Sequence, residues 1–153
     1  MHALELKVPP VSLVLAAALA MWLAPSAGPD FILPPMARAT IAPVLVAGGA
    51  FLSLAGVASF LRAKTTVNPT KPGSVSSLVT TGVYRFTRNP MYLGLLLMLL
   101  GWAAFLSNAL AFVVVPLFVL YMNRFQLVPE ERALSALFGA EFDAYATRVR
   151  RWL

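Results

Sequence analysis

The sequence predicts an all-α integral membrane protein, a helical bundle of four membrane helices followed by an amphipathic C-terminal helix. Hydrophobic residues make up 59% of its 153 residues, and charged residues only 12%, whereas soluble domains carry about 25% charged residues. The charges also lie at the ends of long uncharged stretches. Lipid is therefore the expected solvent for most of one single domain, 1–153.

The first two uncharged stretches have the length of a membrane helix. The gaps between Lys7 and Asp30 and between Arg38 and Arg62 contain 22 and 23 residues, close to the ~20 residues that cross a bilayer. They predict helices over 8–24 and 40–61.

A third uncharged stretch contains 35 residues, too many for one crossing. Ser107 and Asn108 near its middle are poor residues for a helix interior. The stretch therefore predicts a hairpin of two short helices, 90–106 and 109–125.

The basic residues predict the orientation of the bundle. With four crossings, 11 of the 12 Lys and Arg residues lie on one side, and Arg38 is the exception. Cytoplasmic loops are rich in Lys and Arg, so this side is expected to be cytoplasmic, with both termini inside a multi-pass cell membrane protein. This distribution explains the net charge of +6 without a nucleic-acid partner.

The predicted cytoplasmic loop, 62–89, contains an irregular part, 64–81, which includes Pro69, Pro72 and Gly73. Proline and glycine at this density favour an extended, irregular chain. Its composition fits either a flexible linker or a lid over a substrate, and the sequence leaves both open.

Residue counts exclude several classes of site. The chain has no cysteine and one histidine, His2. Disulfide scaffolds, cysteine nucleophiles, histidine-built zinc sites and Ser-His-Asp triads are therefore excluded, and no metal is expected.

Small residues in the second predicted helix indicate a close contact with another helix. They are Gly48, Gly49, Ser53, Ala55, Gly56 and Ser59.

The start of the third helix and the C-terminal segment combine polar and aromatic residues in unusual density. Asn89 is suited to cap the third helix, and Pro90 is suited to its first turn. The segment 129–149 predicts an amphipathic helix with Glu131 on its apolar face, where a carboxylate needs a cationic partner. Arg124 is the nearest cation in sequence, whereas the helix dipole accounts for Glu130.

Two motifs together carry a resemblance to a known family. They are Gly82-x-Tyr84 with Arg88-Asn89-Pro90-x-Tyr92-x-Gly94, and, after the hairpin, Arg124-Phe125 with Glu130-Glu131-x-x-Leu134 and Phe138-Gly139-x-Glu141-Phe142-x-x-Tyr145. The combination resembles the isoprenylcysteine carboxyl methyltransferase family and its phospholipid N-methyltransferase relatives over 82–149.

The resemblance implies a membrane-integral methyltransferase that uses S-adenosyl-L-methionine. It implies that Arg124 lies towards the reacting group, and we expect Arg124 and Glu131 to be the catalytic residues. It further implies a cofactor pocket lined by Tyr84, Arg88, Asn89, Pro90, Tyr92, Leu93 and Gly94 on one side and by Glu130 and Glu131 on the other.

One position departs from the family pattern, because Asn89 replaces the family's usual histidine. An amide can hydrogen-bond to a cofactor but does not titrate near neutral pH, so no proton transfer is assigned to Asn89.

The predicted function is transfer of a methyl group to a lipophilic acceptor, a lipid or small molecule, at a carboxylate, amine or hydroxyl on the cytoplasmic membrane face. The alternative is a non-catalytic membrane scaffold or accessory subunit in which Glu131 and Arg124 form a structural ion pair.

Overall fold

The computed structural model describes residues 5–23, 33–63 and 77–153, and within these ranges all regular secondary structure is helical. The predicted all-α class is thus confirmed for the described residues. Most of the segment 64–81, which is predicted to be a linker or a lid, lies outside the described residues. The helices are α1 (Pro10–Leu23), α2 (Pro35–Arg62), α3 (Pro90–Leu106), α4 (Ala109–Met122), α5 (Val128–Phe138) and α6 (Ala140–Arg148), with a 3₁₀ turn at Gly82–Arg85 and a π-helical turn at Asn123–Leu127.

Helix α2 begins at Pro35, five residues before the predicted start at residue 40. The prediction took Arg38 as a boundary of the helix, whereas Arg38 lies inside it. Pro35 occupies its first turn, where a missing N–H costs no helical hydrogen bond. The helix has 28 residues and is about 42 Å long, enough to cross a hydrocarbon core of about 30 Å.

The hairpin between α3 and α4 turns at the two residues that the sequence singled out. Ser107 adopts a left-handed conformation with φ 53° and ends α3. The Asn108 side chain accepts a hydrogen bond of 2.8 Å from the Leu110 N–H and so caps α4. These local features join two antiparallel helices without a long loop.

Helix α4 does not end before the C-terminal segment, in contrast to the predicted break after residue 125. It runs through the π-helical turn into α5 as one helix, Ala109–Phe138. Pro129 has no N–H to donate to the Phe125 carbonyl one turn earlier. That carbonyl instead accepts a hydrogen bond of 3.0 Å from the Leu6 N–H, so the N-terminal segment is fixed against the turn.

The single C-terminal helix predicted over 129–149 is also wrong, because Gly139 divides it into α5 and α6. Gly139 has φ 52° and ψ −127°, a conformation that residues with a Cβ rarely adopt. Among the apolar and aromatic residues of this segment, Phe142 and Tyr145 are buried, whereas Leu137 is 46% exposed.

The contact between α2 and α3 depends on small residues. A Cβ added at Gly49 would lie 2.4 Å from the Gly94 carbonyl oxygen, and one at Gly56 would lie 2.7 Å from the Met91 side chain. The Ser53 hydroxyl donates across the contact to the Met91 carbonyl at 3.1 Å. The predicted packing role is thus confirmed for these α2 residues, but Gly48 faces open space.

Two helices of the described chain are long and apolar enough to cross a membrane, Pro35–Arg62 and Ala109–Phe138. The apolar helices α1 and α3 are shorter, with 14 and 17 residues. Along α2, Val44, Phe51 and Leu54 are about 70% exposed. An apolar surface of this kind fits contact with lipid.

Candidate functional site

Polar and charged side chains meet at the start of α3, and the chain leads into it through the 3₁₀ turn. Gly82 opens this turn with φ +63°. Tyr84 follows and is buried, with its ring edge against Phe60 at a centroid distance of 5.4 Å. The Tyr145 hydroxyl donates to the Tyr84 carbonyl at 2.7 Å, so α6 holds the turn in place.

Burial raises the pKa of both tyrosine hydroxyls and so further favours their protonated form. It raises the pKa of Tyr84 well above its ordinary value, and the nearby Glu130 carboxylate raises it further. Burial also raises the pKa of Tyr145 to about 12, although the positive charge of Arg88 opposes this shift. Both hydroxyls therefore stay protonated near neutral pH.

The C-terminal segment returns to the start of α3 and hydrogen-bonds to it. The backbone N–H of Arg88 donates to the Arg150 carbonyl at 3.0 Å. The Arg151 carbonyl accepts from the Thr87 hydroxyl at 3.3 Å and from the Asn89 side-chain amide at 2.9 Å. Asn89 does occupy the predicted cap position of α3, but its side chain makes no capping hydrogen bond.

Glu131 lies between two arginines. Its carboxylate forms an ion pair of 3.1 Å with Arg88 and accepts from Nε and Nη2 of Arg151, the Nε contact being 2.9 Å. The hydrogen bond to Glu131 raises the pKa of Arg151. Glu131 therefore has the cationic partners that its position demands, but neither of them is Arg124.

Tyr92 forms a hydrogen bond with Glu130 and not with Glu131. The Tyr92 hydroxyl donates to Glu130 Oε2 at 3.0 Å. Tyr92 is 6% exposed and belongs to the main hydrophobic core. Adjacent glutamates thus have different surroundings, with Glu130 against the core and Glu131 against the arginines.

Arg88 has one buried side-chain nitrogen without a partner among the described residues. Its Nη1 pairs with Glu131, whereas its Nε is buried and has no hydrogen-bond partner among the described residues. A buried N–H without a partner is costly in a protein interior. We call the group Arg88, Tyr92, Glu130, Glu131 and Arg151 the polar cluster.

The structure gives Arg124 a different environment. Its guanidinium pairs at 3.3 Å with Glu5, which Arg132 also contacts at 3.1 Å. Next to it, the buried Gln126 side chain donates to the Val8 carbonyl. The expected Glu131–Arg124 pair is thus not the arrangement found, and Arg124 instead helps to hold the N-terminal segment.

Pro90, Leu93 and Gly94, which the resemblance implies as pocket residues, are all buried. A Cβ at Gly94 would lie 2.2 Å from the Ser53 hydroxyl, so Gly94 faces α2. Gly94 therefore has a packing role in the α2–α3 contact.

Sequence reasoning missed Thr87, Tyr145 and Arg151 as parts of this region. Arg151 counted only as one of the cations that predict orientation. The available signals were the charge of Arg151 and the position of the aromatic residue Tyr145 in the predicted C-terminal helix. Neither signal indicates that the C-terminal segment returns to the start of α3.

Among the residues that the structure describes, no group of three or more His, Asp or Glu side chains could hold a metal ion. The polar cluster instead offers guanidinium donors, carboxylate acceptors and the ring of Tyr92. This set of groups suits an organic ligand that carries both a positive and a negative charge.

The fold and the polar cluster define a class, helical proteins with apolar helices of membrane-crossing length and a charged site at one end. The sequence model of the family described as phospholipid methyltransferase matches residues 37–141, more than half of the chain. The chain therefore belongs to the phospholipid methyltransferase family.

Curated relatives match shorter parts. A protein of Haemophilus influenzae, described as uncharacterized, is 49% identical over 63 residues, covering 41% of this chain and the whole of that protein. Proteins of the indica and japonica subspecies of Oryza sativa, each described as a probable protein-S-isoprenylcysteine O-methyltransferase, are 39% identical over 79 residues, half of this chain. The match spans only 40% of these rice proteins. No solved structure matches the chain significantly.

Proposed function

We propose that the chain transfers a methyl group from S-adenosyl-L-methionine to a lipophilic acceptor, at a carboxylate, amine or hydroxyl. Membership of the phospholipid methyltransferase family supports methyl transfer, and the description of the rice relatives fits a lipophilic substrate. The observation that carries the proposal is the Tyr92–Glu130 hydrogen bond, together with the buried Nε of Arg88, which has no partner among the described residues.

The polar cluster fits the charges of the proposed cofactor. The Arg88 Nε–H is a buried donor that has no partner among the described residues, which suits the carboxylate of the methionyl group. The Glu130 carboxylate suits its ammonium group or a ribose hydroxyl. The rings of Tyr84 and Tyr92 suit a sulfonium, because aromatic faces attract cations.

The bound cofactor would supply an activated methyl group on sulfur. The residues of the chain would then align the reactants and exclude water, which suits a displacement whose donor already carries positive charge. Glu131 would act indirectly, since it holds the guanidinium of Arg88 from the opposite side. Asn89 and the protonated Tyr84 would bind rather than transfer protons.

The proposed location of the site is the cytoplasmic membrane interface of a four-crossing bundle. The start of α3, the end of α2 and the end of α4 all lie at this end, which carries most of the described basic residues. With about 21 and 25 Å of helix, α1 and α3 are shorter than the hydrocarbon core. Local thinning of the bilayer or a shallow position would accommodate them.

The experiment that tests the proposal is incubation of the purified full chain with methyl-labelled S-adenosyl-L-methionine and a total membrane lipid extract. We expect label in an extractable lipid, at least tenfold less label with Glu130→Gln, and unchanged labelling with Glu141→Gln. Glu141 is an exposed carboxylate in α6 and serves as the matched control.

Absence of labelled lipid with folded wild-type protein would overturn the proposal. It would favour the scaffold alternative, for which the Arg88–Glu131–Arg151 group supplies a structural ion pair. Equal labelling by wild type and Glu130→Gln would support methyl transfer but would contradict the assignment of Glu130 to the site.

A further inference from the structure

A cavity of about 930 Å³ lies at the end of the α2–α3 pair that is opposite the polar cluster. It is lined by the first half of α2, including Ala39 and Pro43, and by the last part of α3, including Gly101 and Phe105. Its volume is within the ~300–1,000 Å³ typical of ligand pockets. We call it the distal cavity.

The distal cavity has an apolar wall and one charged residue. Among the described residues that line it, Arg38 is the single charged side chain, and none of them is a carboxylate. The guanidinium carbon of Arg38 lies 4.8 Å from the centre of the Phe105 ring, a favourable cation–π geometry. The cavity thus presents a positive charge at the edge of an apolar space.

The surface next to the cavity is apolar and exposed. Met36 is 79% exposed and Val44 is 68% exposed, and Val46, which lines the cavity, is 41% exposed. A ligand there would extend from a cationic point onto a hydrophobic surface that fits lipid. This combination selects an amphiphile with an anionic head and an acyl chain.

We propose that the distal cavity binds an anionic phospholipid, with its phosphate on Arg38 and an acyl chain along α2 and α3. A guanidinium can contact two phosphate oxygens at once. Phe105 fixes the guanidinium plane from one side, and the apolar wall excludes water around the chain.

This lipid site is separate from the proposed methyl-transfer site and does not depend on it. Thirteen positions of α3 separate Tyr92 from Phe105, which corresponds to about 20 Å along the helix. A headgroup on Arg38 is therefore too far from the polar cluster to be the methyl acceptor.

The test uses Trp102, which lines the cavity, as a fluorescent probe. The Trp22→Phe/Trp152→Phe protein is placed in phosphatidylcholine nanodiscs that contain one-tenth of either brominated phosphatidylglycerol or brominated phosphatidylcholine. We expect at least twofold stronger quenching by the brominated phosphatidylglycerol. Arg38→Gln should abolish the difference, and Arg62→Gln at the other end of α2 should retain it.

Native mass spectrometry of the protein with its natural tryptophans gives a second measurement. Arg38→Gln should carry at least threefold fewer tightly bound phosphatidylglycerol molecules than Arg62→Gln, with equal phosphatidylcholine. Equal quenching by the two brominated lipids, or equal phosphatidylglycerol retention by the two variants, would overturn the proposal whether or not the protein transfers methyl groups.

Discussion

The α2–α3 contact and the polar cluster share the start of α3 but are held together in opposite ways. At the contact, Gly49 and Gly94 let two backbones approach so closely that no Cβ fits. In the polar cluster, long side chains from α3, α5 and the C-terminal segment meet through hydrogen bonds and ion pairs. The first region tolerates no added atom, whereas the second depends on charge and donor geometry.

This difference predicts different sensitivities. A change of volume should damage the α2–α3 contact most, and a change of charge or of a donor should damage the polar cluster. Isosteric substitutions therefore separate the two regions, because they leave volume nearly constant.

The largest effect is expected for Gly49→Ala. The new Cβ would lie 2.4 Å from the Gly94 carbonyl oxygen and 2.9 Å from the Met98 backbone nitrogen, so the helices must separate. Overpacking of this kind costs up to ~3 kcal/mol in the free energy of unfolding, measured by denaturation in mixed micelles.

Gly48→Ala is the matched control, because nothing lies within 4 Å of a Cβ at that position. It should leave stability unchanged or raise it by up to ~1 kcal/mol through helix propensity. Similar destabilisation by both variants would contradict the close-contact interpretation.

A smaller effect is expected for Glu131→Gln, which leaves Arg88 and Arg151 without their shared carboxylate. The group is partly exposed, so the loss should be about 1–2 kcal/mol rather than the larger cost of a fully buried pair. The same denaturation experiment measures it. Glu141→Gln should be neutral, and an equal loss in both variants would remove the special role of Glu131.

The smallest effect concerns Asn89, whose side-chain amide donates to the Arg151 carbonyl. Asn89→Ala should lower the free energy of unfolding by ~1 kcal/mol, the usual worth of one such hydrogen bond. Asn89→His, the family's usual residue, retains a ring N–H and should recover most of it. If histidine destabilises as much as alanine, the donor is not what this position requires.

Features that depend on neighbouring residues could be predicted from the sequence. The hairpin turn follows from Ser107 and Asn108, and the close α2–α3 contact follows from the small residues of α2, Gly49 and Gly56 among them. Each of these is a local preference that tertiary structure retains.

Features that depend on distant segments could not be predicted. Arg124 pairs with Glu5 across 119 positions, and nothing in either neighbourhood indicates this. Glu130 and Glu131 lie about 100° apart on a helix, and periodicity placed Glu131 on the apolar face without indicating that Glu130 contacts Tyr92. Only the position of α5 over the start of α3 assigns Tyr92 to Glu130.

The most direct test of the proposed site measures binding of S-adenosylhomocysteine, the demethylated product, to the purified protein in detergent by titration calorimetry. Glu130→Gln should weaken binding at least tenfold, about 1.4 kcal/mol, while Glu141→Gln binds as wild type does. Unchanged affinity in a folded Glu130→Gln protein would contradict the proposal that Glu130 binds the cofactor.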